Sequence, residues 1–254
     1  MLYAQGDYLI EIKLFNEANF NNYTFIEGFP GIGLVGPMAI SYIIDKLSMK
    51  YVGYMQSASF PPLVSIHKSE PMPPIRLYSA EKEKLVTIFA EFPIPIDLVD
   101  EISSTIYEFL RKSGISNVYS IGGIPNTETE DQKPFVIASN SAITANAVSA
   151  GLQQIDEGVA TGVSALLLMK AALDKRNDIC IMVPVHQNIA DPTYAEVAIT
   201  SLNKLMNLKI DIADLDKEAK IVQAKIKELV SKHKETHDNY KKVVEDTSGP
   251  SMYA

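Results

Sequence analysis

Tyr23-Thr24-Phe25-Ile26-Glu27-Gly28-Phe29-Pro30-Gly31-Ile32-Gly33-Leu34-Val35-Gly36-Pro37 reads as a strand, a glycine-rich turn and the start of a helix. Tyr23 to Ile26 is a short apolar and β-branched run. Gly31, Gly33 and Gly36 fit G-x-G-x-x-G, in which glycines permit tight turning and close backbone approach. Pro37 then stands in the first turn of a helical pattern that continues to Leu47.

The same alternation extends outward. Tyr8 to Leu14, Tyr51 to Met55, Leu85 to Ala90, Val118 to Ile121, Phe135 to Ala138 and Ile179 to Val185 read as further strands. Several are continuously apolar, which suits central strands covered on both faces. Between them, Asp97 to Lys112 places Leu98, Ile102, Ile106 and Phe109 or Leu110 on one helical face, with Gly114 as its C-terminal cap. Val159 to Leu173 is apolar enough to predict a buried helix. Asp191-Pro192 predicts an N-cap with proline next, opening a helix through Leu205. Strands alternating with helices predict an α/β sandwich around a largely parallel sheet. Half of the prolines lie from Pro61 to Pro95, which predicts an irregular excursion or hairpin at the sheet edge.

The glycine loop has two readings. One is a dinucleotide or phosphate cradle at a helix N-terminus. The acid expected about 20 residues further on is missing, however, and Met55-Gln56-Ser57-Ala58-Ser59 stands there instead. The other, favoured here, is a turn that needs glycine for conformation and packing. Gly122-Gly123 follows another strand, and Gly162 begins the apolar helix. Gly31, Gly33, Gly36, Gly122, Gly123 and Gly162 therefore form a candidate ligand loop set, with Ser57, Ser59, Asn126, Thr161 and Ser164 as polar candidates.

The chain has 254 residues, is 46% hydrophobic and carries a net charge of −8. It has no Lys/Arg run, which argues against nucleic acid as a partner. The N-terminus lacks a signal-peptide pattern, and no apolar run reaches the roughly 20 residues that span a bilayer. A cytoplasmic protein is expected. Cys180, the single cysteine, lies in an apolar strand and reads as a buried thiol. His233 and His237 have i,i+4 spacing, with only Asp238 or Glu235 nearby as a third ligand, and read as solvent-facing helix residues, so no metal site is expected. His186 ends a strand as a polar structural residue. No nucleophile, base and orienting acid are marked by spacing, and no cofactor or catalytic residue is assigned.

Neither glycine nor proline occurs from Thr193 to Ser248. Leu215, Ala219, Val222, Ile226 and Leu229 recur at heptad spacing, and the register continues through His233, Thr236, Tyr240 and Val243. A helix from Asp214 to Val244 would be roughly 45 Å long. It reads either as a helix lying across the domain or as a projecting arm, paired near its root and solvated at its tip. Gly249-Pro250 stops it and frees Met252-Tyr253-Ala254. Such an end can enter a partner's pocket, with the apolar side chains and phenol supplying contact area and the carboxylate pairing with a lysine.

The run Glu27 to Gly36 resembles the opening motif of the proteasome assembly chaperone 2 family. So do Phe60-Pro61-Pro62, the Gly122-Gly123 turn and Gly158-Val159-Ala160-Thr161-Gly162, a match spanning about Ile10 to Leu208. The resemblance implies a single-domain α/β fold like that of nucleoside phosphorylases, homo-oligomers, and in some relatives a C-terminal arm ending in hydrophobic-Tyr-X. It implies that Met252, Tyr253 and the carboxylate of Ala254 dock between α-subunits of the proteasome core. The organisation expected is a globular oligomerising domain at 1–208, a helical arm at 209–248 and a docking tail at 249–254. The function expected is a non-enzymatic proteasome-binding assembly chaperone or activator-like protein. A tetramer is favoured, ahead of a pentamer, trimer or hexamer. The alternatives are a nucleotide- or phosphate-binding protein or enzyme, and a structural oligomer without a proteasome role.

Overall fold

The structure is a computed structural model and describes residues 10–125, 133–186 and 190–215, together with Ala224. The central strands are β2 (Thr24–Gly28), β7 (Leu85–Ala90), β8 (Asn117–Pro125) and β11 (Asn177–Val185). They lie side by side in the order β7-β2-β8-β11, all parallel. Their continuous apolar runs follow from cover on both faces. Ile26, Ile121, Ile181 and Val183 point into one core, Phe25 and Val118 into the other.

Antiparallel strands extend the sheet on both sides. Beyond β7 come β6 (Ile75–Ala80), β3 (Lys50–Gln56) and β1 (Glu11–Leu14). Beyond β11 come β9 (Phe135–Ala138), antiparallel to it, and the short β10 (Gln153–Gln154). The result is a nine-stranded mixed sheet with a parallel centre. β4 (Ser65–His67) and β5 (Glu70–Met72) form a separate hairpin within the proline-rich stretch.

Helices α1 (Val35–Lys46) and α5 (Pro192–Met206) pack together on one face, and α2 (Val99–Lys112) and α4 (Val163–Leu173) on the other. In α2, Ile102, Ile106 and Leu110 are buried along one stripe. Asp100 and Glu101 stand in its first turn and Arg111 and Lys112 in its last, matching the helix dipole. Gly114 leaves the helix at φ +69°, as its sequence position predicts. Asp191 caps α5 through its side chain, accepting the Thr193 N–H at 2.9 Å. Cys180 is buried.

α1 packs unusually close to the strands beneath it. A Cβ on Gly36 would lie 2.8 Å from both the Ile121 carbonyl oxygen and the Gly28 Cα. These are backbone atoms and cannot step aside. Gly36→Ala is expected to destabilise the protein by about 1–3 kcal/mol, the usual cost of overpacking. An unchanged denaturation midpoint would contradict that packing.

Two expectations need correction, and β6, β10 and α3 have no counterpart in the sequence reading. The apolar helix begins at Val163 rather than Val159, because Gly162 sits at φ +91°. It is also not buried all round. Val163, Leu167, Leu168 and Ala171 face inward, while Met169 is 48% and Leu173 75% exposed. The proline-rich stretch is only partly an excursion, since β6 follows Pro73-Pro74 directly and joins the main sheet. Helix α3 (Ser141–Ser149), capped by Asn140 accepting from the Ile143 N–H at 3.1 Å, has too weak an apolar period to read from sequence.

At the far end, Leu215 is buried against the α1/α5 core. Lys46 pairs with Asp214 at 2.9 Å, and the Tyr42 hydroxyl donates to the Asp211 carbonyl at 2.7 Å. Residues 211–215 are therefore anchored to α1. The rest of the heptad stripe, His233, His237, Met252, Tyr253 and Ala254 lie outside the described residues, as does Asn126. Among the described residues, no helix is long and apolar enough to cross a membrane.

Candidate functional site

A cleft of about 550 Å³ opens at the C-terminal ends of β2 and β8, under the first turns of α4. This is where parallel α/β sheets usually bind ligands, and the volume falls in the small-molecule range. Its walls are mostly apolar, with Phe29, Ile32, Ile124, Val159, Leu168 and Met182 contributing.

The cleft gathers four of the six glycines singled out above: Gly31, Gly122, Gly123 and Gly162. Gly123 is held by close approach, since a Cβ there would sit 2.2 Å from the Ile32 carbonyl oxygen. Gly33 and Gly36 are not among the lining residues. Gly33 instead turns at φ +72° against Val185, and Gly36 packs α1 onto β2 and β8. Thr161 and Ser164 do line the cleft. Ser57 and Ser59 do not. Ser57 lines a separate groove with Phe60, Pro61 and Pro62, and its hydroxyl accepts the Ser59 N–H at 3.1 Å. His186 stands at the end of β11, where its N–H donates to the Tyr194 hydroxyl at 3.1 Å.

Behind the cleft lies a polar row that sequence reasoning missed. Strand register sets Glu27 beside Ser120, and Ser120 beside Cys180. Cys180 lines the cleft directly. Glu27 is wholly buried. Its Oε2 accepts the Phe29 N–H at 3.3 Å, while its Oε1 and the Ser120 Oγ have no hydrogen-bond partner among the described residues. Two residues before Cys180, buried Asp178 likewise has an unpartnered Oδ1. An acid inside a central apolar strand, next to a glycine turn, was the available signal for Glu27.

Burial pushes the Glu27 carboxyl above the usual range, against the Ser164 and Ser120 hydroxyls and the Phe29 N–H, which favour its ionised form. Burial also drives Asp178 well up, helped by the nearby Glu27 charge. The Cys180 thiol is pushed up for the same reasons, the opposite of an activated thiolate.

A carboxyl with a raised folded pKa keeps its proton in the native state where the unfolded chain has already lost it. Glu27 therefore makes stability fall as pH rises from about 4.5, its ordinary value, through its folded pKa. Glu27→Gln is expected to flatten that fall. Urea midpoints measured between acidic and neutral pH check this, and equal slopes in both proteins would contradict it.

A family model matches residues 25–230 and is described as the PAC2 family. The chain belongs to the PAC2 family. The chain is similar to an uncharacterized protein of Methanocaldococcus jannaschii, 30% identical over 214 residues that cover 84% of this chain and 88% of the relative. Among solved structures, the chain is similar to PbaA of Pyrococcus furiosus, described as an archaeal homolog of proteasome-assembly chaperone. That match has a TM-score of 0.79 at 26% identity and covers 91% of this chain and 99% of the other. It is also similar to a Thermoplasma acidophilum protein with unknown function, at a TM-score of 0.81 and 27% identity, covering 88% and 92%. The α/β architecture with its large mixed sheet is thus the PAC2 fold.

Proposed function

We propose that this chain is a non-enzymatic, cytoplasmic proteasome-binding protein, an assembly chaperone or activator-like factor. It docks Met252, Tyr253 and the carboxylate of Ala254 between α-subunits of the proteasome core. The observation that carries the reading is the likeness to PbaA along almost the whole of both chains, together with PAC2 family membership.

Two features of the body support it. Leu215 and the Lys46–Asp214 pair fix the point from which residues 216–254 depart. The outer face of α4 offers Met169 and Leu173 to another surface, which favours a homo-oligomer, with a tetramer the first expectation. Several weak tails on one oligomer would act together through effective concentration when their spacing matches the sockets.

The test is co-purification with a proteasome core, comparing the full chain with one lacking Met252 to Ala254. The full chain is expected to be retained and the truncated chain lost, with both folded. Equal retention would reject the tail as the docking element.

A further inference from the structure

The cleft under α4 is not accounted for by tail docking, and its charge decides what it can hold. The first turn of α4 contributes the partial positive charge of a helix end, roughly +0.5. Against it stand Asp156 and Glu157, both exposed on the cleft wall, with buried Glu27 and Asp178 behind. No lysine, arginine or histidine is among the described residues that line it. A phosphate would face the exposed carboxylates of Asp156 and Glu157, which outweigh the helix end, and no side-chain cation on the described wall would receive it.

The wholly buried Glu27 supplies the second observation. Its Oε1 has no hydrogen-bond partner among the described residues, although burying such an atom unpaired is costly. Ser164, which lines the cleft, also acts on the Glu27 carboxyl. A hydroxyl on the cleft wall is thus close enough to act on the Glu27 carboxyl.

We propose that this cleft binds a small organic cation, an ammonium group carried on an apolar body. The ammonium donates to the Ser164 hydroxyl oxygen, and the Ser164 O–H donates onward to Glu27. The apolar body packs against Ile32, Val159, Leu168 and Met182. The incoming charge favours the ionised form of the buried Glu27 carboxyl, which burial alone disfavours. This site is independent of the proteasome reading and does not use the tail.

The test is a thermal-shift titration of the full-length protein with pentylammonium, pentanoate and inorganic phosphate. Pentylammonium is expected to raise the midpoint saturably, while the two anions leave it unchanged. Val159→Trp, at a position 94% exposed and so without demands on the fold, fills the cleft and is expected to abolish the response. Glu27→Gln is expected to weaken it about tenfold, the loss of one charge-assisted interaction. Should Glu27→Gln fail to fold, Ser164→Ala carries the same expectation. A saturable shift with phosphate or pentanoate instead, no shift with any of the three, or an undiminished response in Val159→Trp or in the Glu27 or Ser164 variant overturns the proposal.

Discussion

Replacing Arg76 with leucine is expected to lower the unfolding midpoint by roughly 6–20 °C, from a loss of about 3–5 kcal/mol. Arg76 is 1% exposed, on β6, which lies between β3 and the parallel strand β7. Its guanidinium donates to Glu91 at 2.9 Å, to the Pro73 carbonyl at 2.8 Å and to the Tyr78 hydroxyl at 3.0 Å, and it lies over the Phe89 ring. His67 from the β4–β5 hairpin joins the cluster, with Nε2 3.0 Å from Glu91 and 2.9 Å from Arg76. The network ties the hairpin to the sheet. Without the guanidinium, the Glu91 charge stays buried and uncompensated by Arg76, which costs more than the pair contributes.

Two controls separate this from lost packing. Arg76→Leu combined with Glu91→Leu is expected to recover most of the stability, because no charge is then stranded. The pH dependence is the second. Burial pushes Glu91 up, but the hydrogen bonds from His67 and Arg76 and the Arg76 charge outweigh it and hold the carboxyl at about 2. A depressed folded pKa contributes stability that is full above the unfolded value near 4.5 and is lost as pH falls towards 2. The wild-type contribution should therefore fade on acidification, and the deficit of Arg76→Leu should shrink with it. A deficit independent of pH between those values would assign the effect to packing instead.

Moving the terminal carboxylate by one residue is expected to disrupt core binding as completely as deleting the tail. A glycine added after Ala254 leaves Met252 and Tyr253 in place but shifts the charge by about 3.5 Å. That distance is enough to break a charge-assisted hydrogen bond whose tolerance is a few tenths of an ångström. Tyr253→Ala removes the large apolar anchor instead. Retention on an immobilised core should fall at least tenfold for either change, the loss of about 1.4 kcal/mol at each tail, and further where several tails engage together. Circular dichroism and the unfolding midpoint should not move, because the body is anchored upstream at Leu215. Full retention of the glycine-extended chain would mean that the carboxylate makes no contact.

The elements that could be read from sequence are those whose neighbours impose a local pattern. Leu85–Ala90 is six consecutive buried residues between two strands, so the run itself marks its limits. Asp191-Pro192 announces α5 through cap chemistry that needs nothing distant. β6 was hidden because its core includes Arg76, and a charge argues against a strand until Glu91, fifteen residues away, is known to stand beside it. α4 reads as buried because it is apolar all round, whereas Met169 and Leu173 face outward. An unsatisfied apolar face looks the same in sequence as a buried one.

The candidate site divides in the same way. That Gly31, Gly122, Gly123 and Gly162 meet could be inferred from strand-end turns in an α/β sheet. The polar row behind them could not, because Glu27, Ser120 and Cys180 become neighbours only through the registers of β2, β8 and β11. The phosphate alternative rests on the glycines alone, and Asp156 and Glu157 stand on the wall of the same cleft.

Sedimentation velocity of the full chain mixed with a proteasome core tests the central reading most directly. If this PAC2-family protein is a proteasome-binding factor, part of its signal moves with the fast boundary of the core. The same mixture made with the chain lacking Met252 to Ala254 then shows two independent boundaries. A full-length chain that sediments only at its own rate would contradict the account.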